Sequence, residues 1–283
     1  MKNVVLSNED FQDFPIGEFP YDKDHTAMGE YQYVVENGYH GNWVDMVCNY
    51  TYNGTGPTWL ITERDGRHFM ESMRIEKNRP HRMFPTLETG KHQWKDYEVS
   101  VSVRRLSQKG MAGLVFSMNH SIDTLVFYLD GKDKAAVAYR HKEEVQVLKE
   151  VSFPHGCDQE YRLKVDCDGR IAKVYVDDQE LFRVEDDLVA RGGKVGITAD
   201  CPSRFADFKV CVSEKTKQEI DVAERAVKET EAEEMKKHPK MKLWKKIDLK
   251  NFGTSRQIRF GHLTGTDEWY VVLAQMQKRV SRD

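Results

Sequence analysis

The stretch "EYRLKVDCDGRIAKVYVDDQELFRV", residues 160–184, reads as three short strands in a row. The breaks fall at Asp168-Gly169 and at Asp177-Asp178, residue types that tolerate the positive φ values a tight hairpin needs. A meander of antiparallel strands is the simplest arrangement. Working outward, "GGKVGITAD" (192–200) and "RFADFKVCV" (204–212) add two more β-type runs downstream. Upstream, "YEVSVSVR" (97–104) alternates Tyr97, Val99, Val101 and Val103 with Glu98, Ser100, Ser102 and Arg104, which predicts one face in a core and the other in water. "AGLVFSM" (112–118), "DTLVFYL" (123–129) and "AAVAYR" (135–140) lie between, the last two joined by Asp130-Gly131-Lys132. Short strands at this spacing, separated by turn signals, predict a mainly β chain folded as an antiparallel sandwich. The first 90 residues are richer in Gly, Pro, Asn and aromatics and are expected to supply edge strands and long loops.

The texture changes after residue 213. Residues 214–237 contain no Gly or Pro and 14 charged residues among 24, with Glu224/Lys228 and Glu233/Lys237 at i,i+4 spacing, so a solvated helix is predicted. Pro239 ends it near His238. Ile220, Ala223 and Val227 form a thin apolar stripe. The stripe fits a helix lying on the sandwich, and the charge fits a strut between domains; the sequence leaves both open. The expected organisation is a sandwich over 1–213, a charged linker helix over 214–238 and a short hairpin-like tail over 239–283.

Composition bounds the function. Hydrophobic residues make up 39% and aromatic residues 11% of 283, a globular mixture. The net charge of −3 arises from 43 basic and 46 acidic residues interspersed along the chain, which offers no broad basic face to nucleic acid or anionic lipid. No apolar run approaches the roughly 18 residues that cross a bilayer, and the N-terminal "MKNVVLSNEDFQDF" lacks a signal-peptide core, so a cytoplasmic location is expected. The five cysteines stand at least ten residues apart, without any CxxC pairing, and are expected to be free thiols.

The block from Tyr161 to Val210 resembles the C-terminal half of concanavalin A-like, laminin-G-like jelly rolls, in which a strand, a D-G hairpin, a "VYVD" strand, a "GKVG" strand and an "RFADFKV" strand recur in this order. "FPYDKDHTAMGEYQYV" (19–34) and "RPHRMFPTLETGKHQWKDYEVSVSVR" (79–104) look like the N-terminal parts of proteins in which such a jelly roll precedes a β-propeller. That set is similar to rhamnogalacturonan lyases and rhamnose–glucuronate lyases. The tail, "LWKKIDLKNFGTSRQIRFGHLTGTDEWYVVLAQMQKRV" (243–280), is similar to the first blade of such propellers, with Phe252, Gly253, Arg256, Arg259, Phe260, Gly261, Leu263, Gly265 and Gln275 at matching positions. His262, Thr264 and Thr266 replace acids that bind calcium in those blades, so no metal is expected in this loop.

The resemblance implies the N-terminal, carbohydrate-associated module of a polysaccharide lyase acting on rhamnose- and uronate-containing plant polysaccharide, ending before a missing C-terminal propeller domain and inactive alone. The alternatives are a stand-alone carbohydrate-binding jelly roll and a jelly-roll glycoside hydrolase; the latter is disfavoured because no E-x-D-x-x-E strand occurs. Catalytic residues are not assigned. Asp24, His25, Glu30, Tyr31, Arg79, His81 and Arg82 are the loop candidates for contact with a plant-type oligo- or polysaccharide, because planar polar and aromatic side chains bind hydroxyls and sugar faces. Arg256 and Arg259 could clamp a carboxylate in bidentate fashion or bond backbone carbonyls between blades. A structural Ca²⁺ is the one cofactor implied, with Glu9 or Asp10 and Asp207 as ligands. Trp43 and Trp59 are expected in the core.

Overall fold

The meander of 160–184 forms as its turn residues require. The computed structural model describes residues 2–19, 43–45, 59–72, 85–120, 123–141 and 144–237. In it Gly169, Asp177 and Asp178 hold φ of +54°, +49° and +63°. Numbered in chain order, the strands are Val4–Glu9 (β1), Gly17–Phe19 (β2), Val44–Asp45 (β3), Trp59–Arg64 (β4), Arg67–Ser72 (β5), Thr86–Thr89 (β6), Glu98–Arg105 (β7), Met111–His120 (β8), Asp123–Asp130 (β9), Lys134–His141 (β10), Glu144–Ser152 (β11), Glu160–Asp168 (β12), Ile171–Val176 (β13), Gln179–Glu185 (β14), Lys194–Ala199 (β15) and Ser203–Val212 (β16). Two helices complete the described residues, Asp187–Ala190 (α1) and Glu214–Lys237 (α2).

Two antiparallel sheets result, one ordered β14-β13-β12-β7-β16-β5-β4-β2 with β1 also on β16, the other β11-β10-β9-β8-β15-β6-β3. The chain crosses between them repeatedly, from β6 to β7, β7 to β8, β11 to β12, β14 to β15 and β15 to β16, giving a jelly-roll sandwich. Tyr97, Val99, Val101 and Val103 all turn inward and are buried, as their alternation requires. Across the layer they join Leu114, Phe116, Leu125, Phe127 and Ile197 in one core. Each such large apolar side chain contributes about 1.5–3 kcal/mol by leaving water.

The seven-stranded sheet is buried on its second side as well. Met111, Val115, Met118 and Val126 form a separate apolar cluster there, and Thr124, Thr198 and Arg140 beside them are also buried. Burial on both faces fits the nearly continuous apolar runs "AGLVFSM", "DTLVFYL" and "AAVAYR". In β7 the expected wet face is not found: Ser100 and Ser102 are buried like the valines between them, covered without being apolar.

Two further features depart from the sequence reading. The N-terminal region supplies interior strands as well as edges: β5 lies between β16 and β4, and β6 between β15 and β3. Strand β11 has no counterpart in the sequence reading; it is an edge strand exposed at most positions, and of its apolar residues Leu148 and Val151 pack against the core while Val145 and Val147 stay exposed. Helix α2 lies on the sandwich by its first turns. Its start is capped by Ser213, whose Oγ accepts the Thr216 amide at 3.1 Å. Ile220 is buried in the sandwich core, and Glu219 and Glu224 pair with Lys95 and Lys91. Beyond Glu224 every described side chain is exposed, so the first turns dock and the rest stands away. Among the described residues no helix is long and apolar enough to cross a membrane. Cys157, Cys167, Cys201 and Cys211 are free thiols. Trp43 packs against Phe11 and Phe208, and Trp59 against Phe205, both in the core.

Candidate functional site

The sequence candidates Asp24, His25, Glu30, Tyr31, Arg79, His81, Arg82, Arg256 and Arg259 lie outside the described residues, as does the whole 239–283 tail. Glu9, Asp10 and Asp207 are placed. Glu9 stands opposite Phe208 in the β1–β16 register, one residue from Asp207, yet the carboxylates take different partners. Glu9 accepts the Phe11 amide at 2.8 Å, and its carboxyl is pushed up mainly by burial. Asp10 accepts the Gln12 amide at 3.0 Å. Asp207, in left-handed backbone at φ +50°, pairs with the Arg67 guanidinium and accepts the Ser102 hydroxyl at 3.1 Å. A guanidinium thus stands where the proposed Ca²⁺ would need that carboxylate, and the three acids do not fit a calcium shell of six to eight oxygens. Among the described residues no group of three or more His, Cys, Asp or Glu side chains is arranged to hold a metal.

The best-organised polar cluster that reaches solvent sits where the β8–β9 and β10–β11 hairpins end side by side. Register places His120 of β8, Asp123 of β9, His141 of β10 and Glu144 of β11 in one row across the sheet. The cluster starts from a strained residue. Ser117 holds φ +47°, unusual for a residue with a Cβ, inside the register break of β8 between Phe116 and His120. Three partners hold it there. The buried Tyr97 hydroxyl accepts the Ser117 amide at 2.7 Å, the Val189 carbonyl accepts its Oγ at 3.3 Å, and Arg191 donates Nε and Nη2 to its carbonyl at 3.0 and 2.7 Å. Burial keeps the Tyr97 phenol neutral by pushing its pKa far up. Strain held by this many contacts is common beside working surfaces, and here it re-aims the end of β8 toward Asp123.

Arg191 follows α1, whose N-cap Asp186 accepts the Leu188 amide at 2.9 Å. Its Nη1 donates to Asp123 Oδ1 at 2.7 Å and its Nη2 to the Asp123 carbonyl at 3.1 Å. Tyr139 donates its hydroxyl to the same Oδ1 at 2.9 Å, and Asn119 Nδ2 donates to Oδ2 at 3.2 Å. Burial opposes the charge on Asp123, but the bonds from Arg191, Tyr139 and Asn119 outweigh it and hold the carboxyl below its ordinary value. Tyr139 is shifted the other way, first by burial and then by the carboxylate it bonds. Because Tyr139 spends its single proton on Asp123, the 3.0 Å contact with His141 Nδ1 has the imidazole as donor. In the neutral ring this leaves Nε2 as an acceptor. The Tyr139 and His141 rings lie 5.7 Å apart, tilted by 36°, and form a small aromatic shelf. His141 and Asn119 are exposed, Tyr139 half-buried.

None of these residues was singled out from sequence. The available signal was the pair of polar hairpin ends, "NHSID" and "YRHKEE", whose juxtaposition needs the strand register to be known.

The fold and cluster together define a jelly-roll sandwich with a polar, aromatic-edged surface at one hairpin end. No family model matches the chain, and no curated protein matches it. Several solved structures are similar in shape. One is a carbohydrate binding module, CBM66, from Bacillus subtilis, at 17% identity over 60% of this chain and 96% of that one, with a TM-score of 0.46. Another is a xylan beta-1,4-xylosidase from Bacillus halodurans C-125, at 15% identity over 70% of this chain and 41% of that one, TM-score 0.46. A third is a Bacillus subtilis protein with a galectin-like fold, at 11% identity over 76% of this chain and 99% of that one, TM-score 0.46.

Proposed function

We propose that this jelly roll is a carbohydrate-binding module, and that the Asn119–Asp123–Tyr139–His141 cluster is part of its contact with sugar. The observation that carries this reading is the prearrangement of that cluster. An amide, a carboxylate, an imidazole and a phenol are fixed by mutual hydrogen bonds at the rim of a rigid sheet, with an aromatic shelf beside them. Planar polar groups whose orientation is already fixed bind hydroxyls without further ordering cost, and tilted rings accept the CH-rich face of a pyranose. Arg191 supports the cluster and does not itself reach for a ligand, since four of its five N–H groups are committed within the protein. Titration calorimetry of the 283-residue chain against gum arabic, rhamnogalacturonan and arabinogalactan tests the reading. Binding to at least one, weakened tenfold or more in His141→Ala and Tyr139→Phe/His141→Ala, is expected; binding that these changes leave untouched refutes the assignment.

The finer reading is that the module serves a polysaccharide lyase of the rhamnogalacturonan type. Its support is the resemblance of 243–280 to a first propeller blade, together with a helix whose first turns dock through Ile220 while its remainder stands clear of the sandwich. The chain alone is then expected to yield no unsaturated uronide product from rhamnogalacturonan or gum arabic, and appearance of such a product overturns this part.

A further inference from the structure

The hydrogen-bonding capacity left over at the hairpin-end cluster specifies what kind of sugar it takes. Asp123 Oδ1 receives Arg191 and Tyr139 and is full; among the described residues Oδ2 receives only Asn119 and keeps a lone pair. Asn119 must present Nδ2 to that carboxylate, because an ionised carboxylate only accepts, so the amide oxygen of this exposed residue faces no partner among the described residues. His141 Nε2 is likewise an acceptor without a partner among the described residues once Nδ1 donates to Tyr139. Against these acceptors the four named residues and Arg191 offer one N–H of Asn119 and one of Arg191, the latter on the nitrogen that already serves Asp123. Among the described residues, the cations close by are engaged elsewhere. Lys194 pairs with the buried Glu88, and burial, then the neighbouring Lys194 and His120, lower the His92 pKa and disfavour its charged form.

An anionic sugar needs the reverse arrangement: uncommitted donors, preferably a free guanidinium fork, and no bare carboxylate facing it. A uronate brought to this cluster would meet the Asp123 charge and, among the described residues, more vacant acceptors than donors, and like charges so close cost binding even near the surface. The hydroxyls of a neutral sugar are donors as well as acceptors and fit the vacant positions. We infer that the hairpin-end cluster of Asn119, Asp123, Tyr139 and His141 recognises the hydroxyl face of a neutral sugar and discriminates against uronic acids. The inference rests on the carbohydrate-binding reading above. Within a polysaccharide that contains both kinds of residue, this site reads the neutral ones, such as a deoxyhexose or pentose with adjacent hydroxyls.

The test uses the full chain and two probes matched in length: neutral oligosaccharides released from arabinogalactan, and oligogalacturonate. Titration calorimetry is run at one ionic strength for the wild type, His141→Ala, Asn119→Ala and Asn119→Arg. The expected result is at least tenfold tighter binding of the neutral probe, loss of that advantage in His141→Ala and Asn119→Ala, and a shift toward oligogalacturonate in Asn119→Arg, which sets an uncommitted guanidinium beside Asp123. Equal or tighter wild-type binding of oligogalacturonate, weakened by His141→Ala, overturns the discrimination while leaving a sugar site in place. Binding of either probe that is indifferent to all three substitutions, or no binding of either, overturns the carbohydrate assignment of this cluster and the inference with it.

Discussion

Replacing Arg191 by methionine should remove the tie on which the strained end of β8 depends. The guanidinium makes four hydrogen bonds, two to the Ser117 carbonyl, one to the Asp123 carboxylate and one to the Asp123 carbonyl. Methionine keeps most of the length of the side chain and none of its donors. Two costs follow. Ser117 retains its unfavourable φ with fewer contacts to enforce it, and Asp123, with a side chain only 13% exposed, loses its cation. Breaking a fully buried pair from one side costs about 3–5 kcal/mol, and the Arg191 side chain is 26% exposed, so solvent screening lowers the figure to about 2–3 kcal/mol. For a chain of this size that is a fall in Tm of about 5–10 °C. A double-mutant cycle with Asp123→Asn, read by urea unfolding, should give a coupling of about 1–2 kcal/mol. The acid limb offers an independent check. The folded Asp123 pKa lies below its unfolded value, so its contribution is present at neutral pH and is lost as pH falls below about 4, through the folded value. Arg191→Met should flatten that part of the stability profile. A variant destabilised by less than about 0.5 kcal/mol, with the acid limb unchanged, would show that the contacts are incidental and that Ser117 is held by Tyr97 and Val189 alone.

Three further outcomes are expected. His155 accepts Arg105 Nη1 at Nδ1 (3.3 Å) and donates Nε2 to the Lys134 carbonyl (3.3 Å), and burial and then the Arg105 charge lower its pKa. The unfolded chain therefore binds this proton more readily, and stability should fall as pH drops below about 6.5 and level off below the folded value; in His155→Gln that step should vanish from urea midpoints measured against pH. Ile220→Ala should cost about 2–4 kcal/mol because the side chain is 1% exposed in the core, whereas Val227→Ala two turns later should stay within about 0.5 kcal/mol; equal effects would mean α2 docks along its whole length. Gly169→Ala should cost about 1 kcal/mol from strain at φ +54°, with no clash, since a Cβ there meets nothing within 4 Å, and a loss several times larger in urea unfolding would contradict that.

How much of this was legible before the structure differs by region, for physical reasons. The turn at Asp168-Gly169 and the alternation of Val99, Val101 and Val103 are local: each residue reports its own backbone or its own face, and the structure agrees at each. Strand β11 carries a weaker signature, because only Leu148 and Val151 of this edge strand pack against the core and its other positions are exposed. The interior placement of β5 was also hidden. "RHFMES" owes its position to pairing with β16, more than 130 residues away, and neither segment encodes its partner.

The candidate site shows the same division more sharply. Asn119, Asp123, Tyr139, His141 and Arg191 come from three strands and the turn after α1, and no pair among them forms a recognisable motif. What assembles them is register: the β9–β10 pairing sets His141 opposite Asp123 and Tyr139 opposite Leu125, and the break at Ser117 turns β8 toward them. A one-residue slip in β10 would move Tyr139 and His141 to the opposite face and leave Asp123 without its phenol. Strand register here is set mainly by the inward-facing Leu125, Phe127, Ala135 and Val137, all fully buried. The geometry of the site is thus a consequence of core packing. Core substitutions in β9 or β10 that preserve volume should spare it, while those that change volume should weaken sugar contact and the stability of the sandwich together.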